Sequence, residues 1–494
     1  MRSIFSLIIL IIYSFSGFAQ SNQSPITISL RQFQVPVLKN KDINPVMEIE
    51  IKVFDSTKDF SVKEIVFTGR GTTDFTDIEN ASVFYYRNLQ NINSPVVPIN
   101  AQKFGTALKP EKIMVFKGNQ TLRYGTNYFC FSYKLNDNAN ISNVVGAACL
   151  KITTNFGSAG IELSEKAFAQ PIGIALRKHK DDNVHTYRIP GLVTTNRGTL
   201  IASYDVRRES ERDLQGNIDI GISRSTDGGA TWGKMQTVMD MKKWGGLPEK
   251  FNGVSDACLL VDKNSDNIFL AGLWMHGVLD SSGKWIENLS DTVAQWNHQW
   301  NGKGSYKGFD PKETAQFLIS RSSDDGISWS EPVNITKMCK KENWWLFAPA
   351  PGNGITMKNG TLVIPTQGRD SAGVPFSNIT YSTDGGKTWF TSAPAQIHTT
   401  ECTVAEIDSN ILLLNMRDNR NINNSSDDNG RAVALTKDMG KTWITATDYN
   451  LIEPACMASL LKHEFTDKGE RKSILLFSNP NSKNNFRKEL NISS

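Results

Sequence analysis

From residue 22 to residue 155 the chain alternates apolar and polar positions in short runs. "EIEIKVFD" (48–55) and "NYFCFSYKL" (127–135) are two of them, and turns rich in Asn, Asp and Gly separate them. A period of two marks strands with one buried face, so this region is predicted to be a β-sandwich. The stretch that follows, "NFGSAGIELSEKAFAQPIG", carries Gly, Ser and Pro, and 156–171 is expected to be a linker. The second region, 172–494, has a different composition: all eleven tryptophans lie at or after Trp232. It also repeats. "STDGGATW" (225–232), "SSDDGISW" (322–329), "STDGGKTW" (382–389) and "TKDMGKTW" (436–443) share Ser or Thr, Asp, Gly, Ser or Thr, and Trp at fixed offsets. Such a stretch is a hairpin turn. Asp and hydroxyl side chains bond nearby N–H groups, Gly takes positive φ, and Trp plugs the core beside the turn. The last three copies are 60 and 54 residues apart, the spacing of four-stranded propeller blades. The first interval is longer by about a blade's worth of insertion. These turns read as structural latches rather than ligand sites.

The charge and the ends of the chain narrow the class. A formal net charge of +4 on 494 residues favours neither nucleic acid nor a membrane surface as partner. The start, "MRSIFSLIILIIYSFSGFAQ", has Arg2, an apolar run and a small-residue end, which predicts a signal peptide over 1–19. The run is too short to span a membrane comfortably and no later segment qualifies. The protein is therefore expected to be exported, to the periplasm, the cell surface or the medium. Six cysteines in an exported chain could pair, and Cys130 and Cys149 lie in strand-like stretches that could face each other. Cys258, Cys339, Cys402 and Cys456 sit in apolar settings and read as buried thiols. No CxxC or His-rich spacing points to a metal, so no metal or organic cofactor is expected.

A propeller gathers the inner strands of its blades around one axis, so polar residues at strand ends meet at the mouth. "HTYRIPGL" sets Arg188 between a tyrosine and an Ile-Pro pair. "NMRDNR" places Arg417 directly after the apolar run "ILLLN", and "LLFSNPNSKNNFRKEL" places Arg487 beyond a further strand. One such arginine is usually half of a salt bridge. Three from three blades call for an anion, and guanidinium groups bind a carboxylate in forked, charge-assisted pairs. Carboxylates accompany them. "SYDVRRESERDLQGNIDIG" carries Asp205, Asp213 and Asp219, with Asp213 in the loop where a proton donor could reach a substrate. "TTECTVAEI" carries Glu401 at the start of a strand. Paired carboxylates of differing proton affinity are the usual acid and base apparatus. Taken singly, Asp213 reads as a solvated loop acid and Glu401 as the salt-bridge partner of Arg417.

The "RIP" triplet, the ordered Asp-box turns, the "YDVR…DLQ" loop, the "TEC" glutamate and the "NMRDNR" segment together resemble the bacterial exo-α-sialidases. The resemblance runs from about residue 172 to the end, and the first domain resembles the β-sandwich that often precedes the propeller in that family. It implies an all-β chain with a six-bladed β-propeller, incomplete at its C-terminal end. It implies hydrolysis of terminal α-linked sialic acid from sialylated glycoconjugates with retention. Residue by residue, Arg188, Arg417 and Arg487 match the triad that grips the sialic acid carboxylate. Asp213 matches the acid that protonates the leaving oxygen and Glu401 the general base. Arg207 and Asp256 match positions on the hydroxyl side of the substrate. Trp274, Trp296 and Trp300 are candidates for the aglycone or N-acetyl pocket, with no choice among them. The family attacks with a tyrosine, because the anomeric carbon already bears a carboxylate that would repel an anionic nucleophile. That tyrosine lies beyond the third arginine, whereas the last tyrosine here is Tyr449 and the chain stops at Ser494. Two expectations follow: a truncated copy of an active sialidase, or a lectin-like propeller that binds sialic acid without turnover. The first is preferred, because a pure lectin has little need of Asp213 and Glu401.

Overall fold

The computed structural model describes residues 25–87, 96–161, 168–211, 213–214, 216–244, 249–276, 305–311, 313–483 and 490–493. It divides into two compact units, the first ending at Leu176 and the second beginning at Arg177. In the first, alternation does what the sequence predicts. One sheet runs in the order Ile26–Gln32, Asn44–Val53, Gly125–Leu135, Ile78–Tyr86, Gln102–Lys103. A second runs Gly157–Gly160, Ala148–Thr154, Ser61–Thr68, Ile113–Thr121. Ile49, Ile51, Phe129, Phe131 and Tyr133 from the first sheet pack with Ile65, Phe67, Phe116 and Ile152 from the second. Phe67 and Phe131 lie 4.4 Å apart between centroids.

The same alternation overturns the cysteine expectation. All six cysteines are free thiols. Cys130 lies between Phe129 and Phe131, so it turns away from the inter-sheet core and packs with Phe33 and Tyr86. Cys149 is inside the core. Cys130 faces the outer side of the first sheet, whereas Cys149, on a strand of the second, faces the core between the sheets, so the two cannot meet. Cys456 is half-buried rather than buried. The stretch expected as a linker contains strand Gly157–Gly160, and Gln170–Ile174 pairs with Val37–Lys39 and Val144–Val145.

The second unit is a run of antiparallel groups, five among the described residues. The first comprises Thr186–Thr194, Leu200–Arg207, Ile218–Ser225 and Gln236–Met239. The second comprises Asn252–Val261, Ile268–His276, Gln316–Ser322 and Val333–Asn334. The third is built on Leu346–Pro349, Leu362–Arg369, Pro375–Ser382 and Phe390–Thr391. The fourth comprises Thr399–Asp408, Ile411–Asp418, Arg431–Thr436 and Ile444–Asp448. The fifth comprises Ser459–Asp467, Glu470–Pro480 and Leu490–Ser493. Neighbouring groups touch through parallel pairs, Ile218 with Gly253 and Cys258 with Gly352. The one α-helix among the described residues, Thr336–Cys339, has four residues.

Each Asp box joins the third strand of its group to the fourth. In the third group Asp384 accepts from Ser382 Oγ (2.8 Å), Thr388 N (3.0 Å) and Thr388 Oγ1 (2.6 Å). Ser382 Oγ in turn accepts from Gly386 N at 2.9 Å. The other three turns repeat this pattern around Asp227, Asp324 and Asp438. Donors at the far end of each turn hold these four carboxyls at about 2. The carboxylates are saturated from within the turn, as latches should be. Gly386 has φ +85°, and a Cβ there would come within 2.5 Å of the Phe269 ring, so no other residue fits. Trp389, 1% exposed, meets the same ring edge-on at 5.9 Å and ties the third group to the second.

Candidate active site

Three inner strands break step at corresponding places. In the first group Ile189 and Pro190 together oppose Tyr204. In the second Asp256 and Ala257 oppose Gly272. In the fourth Thr400 and Glu401 oppose Arg417. Two residues facing one is a β-bulge, which re-aims side chains and is common beside functional sites. Two of the three bulges hold a non-glycine residue at positive φ, Ile189 at 53° and Asp256 at 58°. For a β-branched residue ahead of a proline this is a costly conformation, kept only where the surroundings impose it.

The sequence-predicted residues sit on these bulges and on the strand ends beside them. Arg188 pairs in register with Asp205. It is exposed and makes no side-chain hydrogen bond or ion pair among the described residues. Asp205, wholly buried, accepts from Arg207 Nε (3.2 Å), Arg207 Nη2 (3.0 Å) and Ser255 Oγ (2.7 Å), all on Oδ2. Its Oδ1 is buried with no partner. Arg207, 1% exposed, spends its other face on the loop: Nη2 donates to Asp213 Oδ1 at 2.7 Å and Nη1 to Glu211 O at 2.9 Å. Asp213 remains open to solvent, with 69% of its side chain exposed. Glu401 and Arg417 form an ion pair, Oε2 to Nη1 at 2.5 Å, while Arg417 Nε is buried without a partner.

Electrostatics joins the two halves. Burial raises the Asp256 carboxyl well above its ordinary range, and the neighbouring charges of Asp205, Glu401 and Asp213 push it further, against the pull of Arg207. Burial likewise raises Asp205 to about 6, opposed by Arg207 and Ser255. Carboxyls from three groups thus share one field, and Asp256 also accepts from Ser255 Oγ at 3.3 Å. Arg207, Asp205, Asp213, Ser255 and Asp256 are joined by hydrogen bonds, the Glu401–Arg417 pair acts on Asp256 through the charge of Glu401, and Arg188 is tied in by its backbone register with Asp205. Arg487, Trp296 and Trp300 lie outside the described residues. Trp274 is a correction: it is fully buried, donates to Asn252 Oδ1 at 3.0 Å and packs on Trp244, so it belongs to the core and not to a pocket wall. Asp205 and Ser255 had no assigned part. The signal for Asp205 was its spacing from Arg207, two residues apart on one strand and therefore on one face.

Comparison with known proteins agrees with the fold. The N-terminal domain of BNR-repeat neuraminidase matches residues 25–157, and the BNR repeat-like domain matches residues 189–493. A sialidase of Bacteroides fragilis is 36% identical over 482 residues, covering 93% of this chain and 84% of its own. A sialidase of Paraclostridium sordellii is 29% identical over 272 residues, covering 53% of this chain and 58% of its own. Among solved structures, the Hadza microbial sialidase Hz136 superposes with a TM-score of 0.75 at 34% identity, covering 92% of this chain and 87% of its own.

Proposed function

This chain belongs to the bacterial BNR-repeat sialidases, and from that membership we propose that it is an exo-α-sialidase releasing terminal α-linked sialic acid from glycoproteins, glycolipids and oligosaccharides with retention. One observation carries the assignment of the site. Arg188 and the Nε of Arg417 are guanidinium donors with nothing to bind among the described residues, and they border a cluster of acids. Arg417 Nε, buried and unsatisfied, costs about 1–3 kcal/mol that a substrate carboxylate recovers on binding, while exposed Arg188 is free to pair with the same carboxylate. In this reading Arg188 and Arg417 hold the carboxylate of sialic acid, with Arg487 as the third member. Asp256, its carboxyl raised by burial and neighbouring acids, and Arg207 face the sugar hydroxyls. Asp213, the most exposed carboxylate of the set, protonates the departing glycosidic oxygen. Glu401 takes the proton of the family's tyrosine hydroxyl as that oxygen bonds to the anomeric carbon and the aglycone leaves with the proton of Asp213, water then releasing the sugar; a neutral nucleophile avoids the repulsion that the sugar carboxylate would impose on an anion. The arginines act on ground and transition states alike and set binding, whereas Glu401 and Asp213 set rate. The five strand groups are taken as blades of a six-bladed ring. The apolar leader after Arg2 suits a protein exported to where sialylated glycoconjugates occur.

The test is release of free sialic acid from sialyllactose, with the anomer of the first product read by NMR. The α-anomer is expected first. Arg188→Ala should lower kcat/KM by about 30- to 150-fold, the equivalent of about 2–3 kcal/mol of lost charge-assisted hydrogen bonding. A protein that binds the sugar but releases none, or that yields the β-anomer first, refutes the proposal.

A further inference from the structure

Among the described residues, two ion pairs have both side chains at 1% exposure or less. Arg207–Asp205 stands behind Asp213, and Arg431–Glu453 stands behind Arg417. The second pair touches no candidate substrate group and is not needed for any step above. The pair is wholly buried, among Asn415, Asn421, Asn429 and the Phe477 ring. An apolar pair of similar volume would suit such a place as well or better, since taking two charges out of water costs more than their attraction usually returns.

What the pair does is visible in its hydrogen bonds. Glu453 Oε1 accepts from the backbone N of Asp418 at 2.8 Å and from Asn421 Nδ2 at 3.0 Å, while Oε2 accepts from Arg431 Nη1. Arg431 Nε donates to Asn415 Oδ1 at 2.8 Å, and Nη1 also reaches Cys456 O at 2.6 Å. Its guanidinium lies 5.7 Å from the Phe477 ring of the fifth group. Asn415 is two residues before Arg417 and Asp418 is one after it. The strand end that carries Arg417 is therefore pinned on both sides, and the pins are anchored to the next group. We propose that Glu453, through Arg431, is a positioning residue that sets the Arg417 guanidinium for the carboxylate of the substrate. The inference rests on the reading of Arg417 as a carboxylate anchor.

A plain interblade staple would affect stability alone; a positioning pair affects recognition of one substrate group. The probes are 2,3-unsaturated sialic acid and its methyl ester, with affinities measured by calorimetry on the full chain. In the wild type the acid should bind more tightly than the ester, and Arg417→Ala should erase most of that preference. Glu453→Gln keeps the shape and removes the charge. It should weaken binding of the acid by about ten- to a hundredfold, as a misplacement of about 1 Å does, and leave the ester unchanged. Where Glu453→Gln does not fold, the double variant Arg431→Met, Glu453→Met leaves no charge unpaired and is read in the same way. An unchanged preference for acid over ester, or an equal loss for both ligands, overturns the inference. A wild type with no such preference, matched by Arg417→Ala, overturns the anchor reading itself and this link with it.

Discussion

Asp219 offers a test of the electrostatics away from the substrate. It is 3% exposed and accepts from Arg208 Nε at 2.8 Å and Nη2 at 2.6 Å. Burial raises its carboxyl from 3.8 to about 6, with Arg208 pulling the other way and Asp240 and Glu249 adding to the rise. The folded protein thus binds this proton more tightly than the unfolded chain does. The stability Asp219 contributes is complete below 3.8 and is lost as the pH rises through 6. A shift of about two units corresponds to about 3 kcal/mol, of which about 2–3 kcal/mol falls between pH 4 and pH 8. Asp219→Asn cannot titrate. Whatever fixed offset the substitution brings, the stability of the variant relative to the wild type should climb by that amount from pH 4 to pH 8. Urea denaturation at a series of pH values measures it, followed by tryptophan fluorescence. All eleven tryptophans lie at or after Trp232, so the signal reports the second unit alone. A difference that stays flat with pH, or falls as pH rises, refutes the reasoning.

Asp213→Asn should lower kcat on sialyllactose by about 10²- to 10⁴-fold, and much less on an aryl sialoside whose acidic phenol leaves without help; equal losses on both substrates would exclude the acid role. Trp389→Ala should cost about 3–5 kcal/mol in urea denaturation, since the side chain is 1% exposed and bridges two groups. Alkylation under native conditions should label Cys456 and spare the five buried thiols, while denaturation without reductant should expose all six.

The legible part of the fold was local. Alternation marked the sandwich strands, and the Asp-box offsets marked the hinge between third and fourth strands of each group, because both depend on neighbours along the chain. The cysteine expectation failed on the same alternation: Cys130 and Cys149 each lie in a strand, but their facing depends on which side of the sheet each residue takes. Arg188, Arg417 and Glu401 were found by type and by their place at strand ends. The bulges that aim them were not, since a bulge is a property of two strands in register. Asp205, Ser255 and the Glu453–Arg431 pair were missed for a related reason. Their partners lie 50, 35 and 22 residues away, across strands that a linear reading cannot align. Trp274 shows the converse error, an aromatic residue that looked available and is packed inside.

An additional residue inserted into a regular ladder reverses the facing of everything beyond it. In Asn252–Val261, Ser255 precedes the irregularity, and Cys258 through Val261 are all in the interior after it. In Thr399–Asp408, Cys402 through Ala405 follow the same course. Each strand thus sets a half-buried carboxylate, Asp256 or Glu401, on its bulge and continues beyond it as a buried strand. Tidying the scaffold would extinguish the chemistry. Deleting Ala257 or Thr400 restores an unbroken ladder and improves the backbone pairing, yet it swings Asp256 or Glu401 to the opposite side. On the proposed reading the site is a set of dislocations in an otherwise periodic lattice, and a redesign toward ideal strands should leave a stable fold without activity.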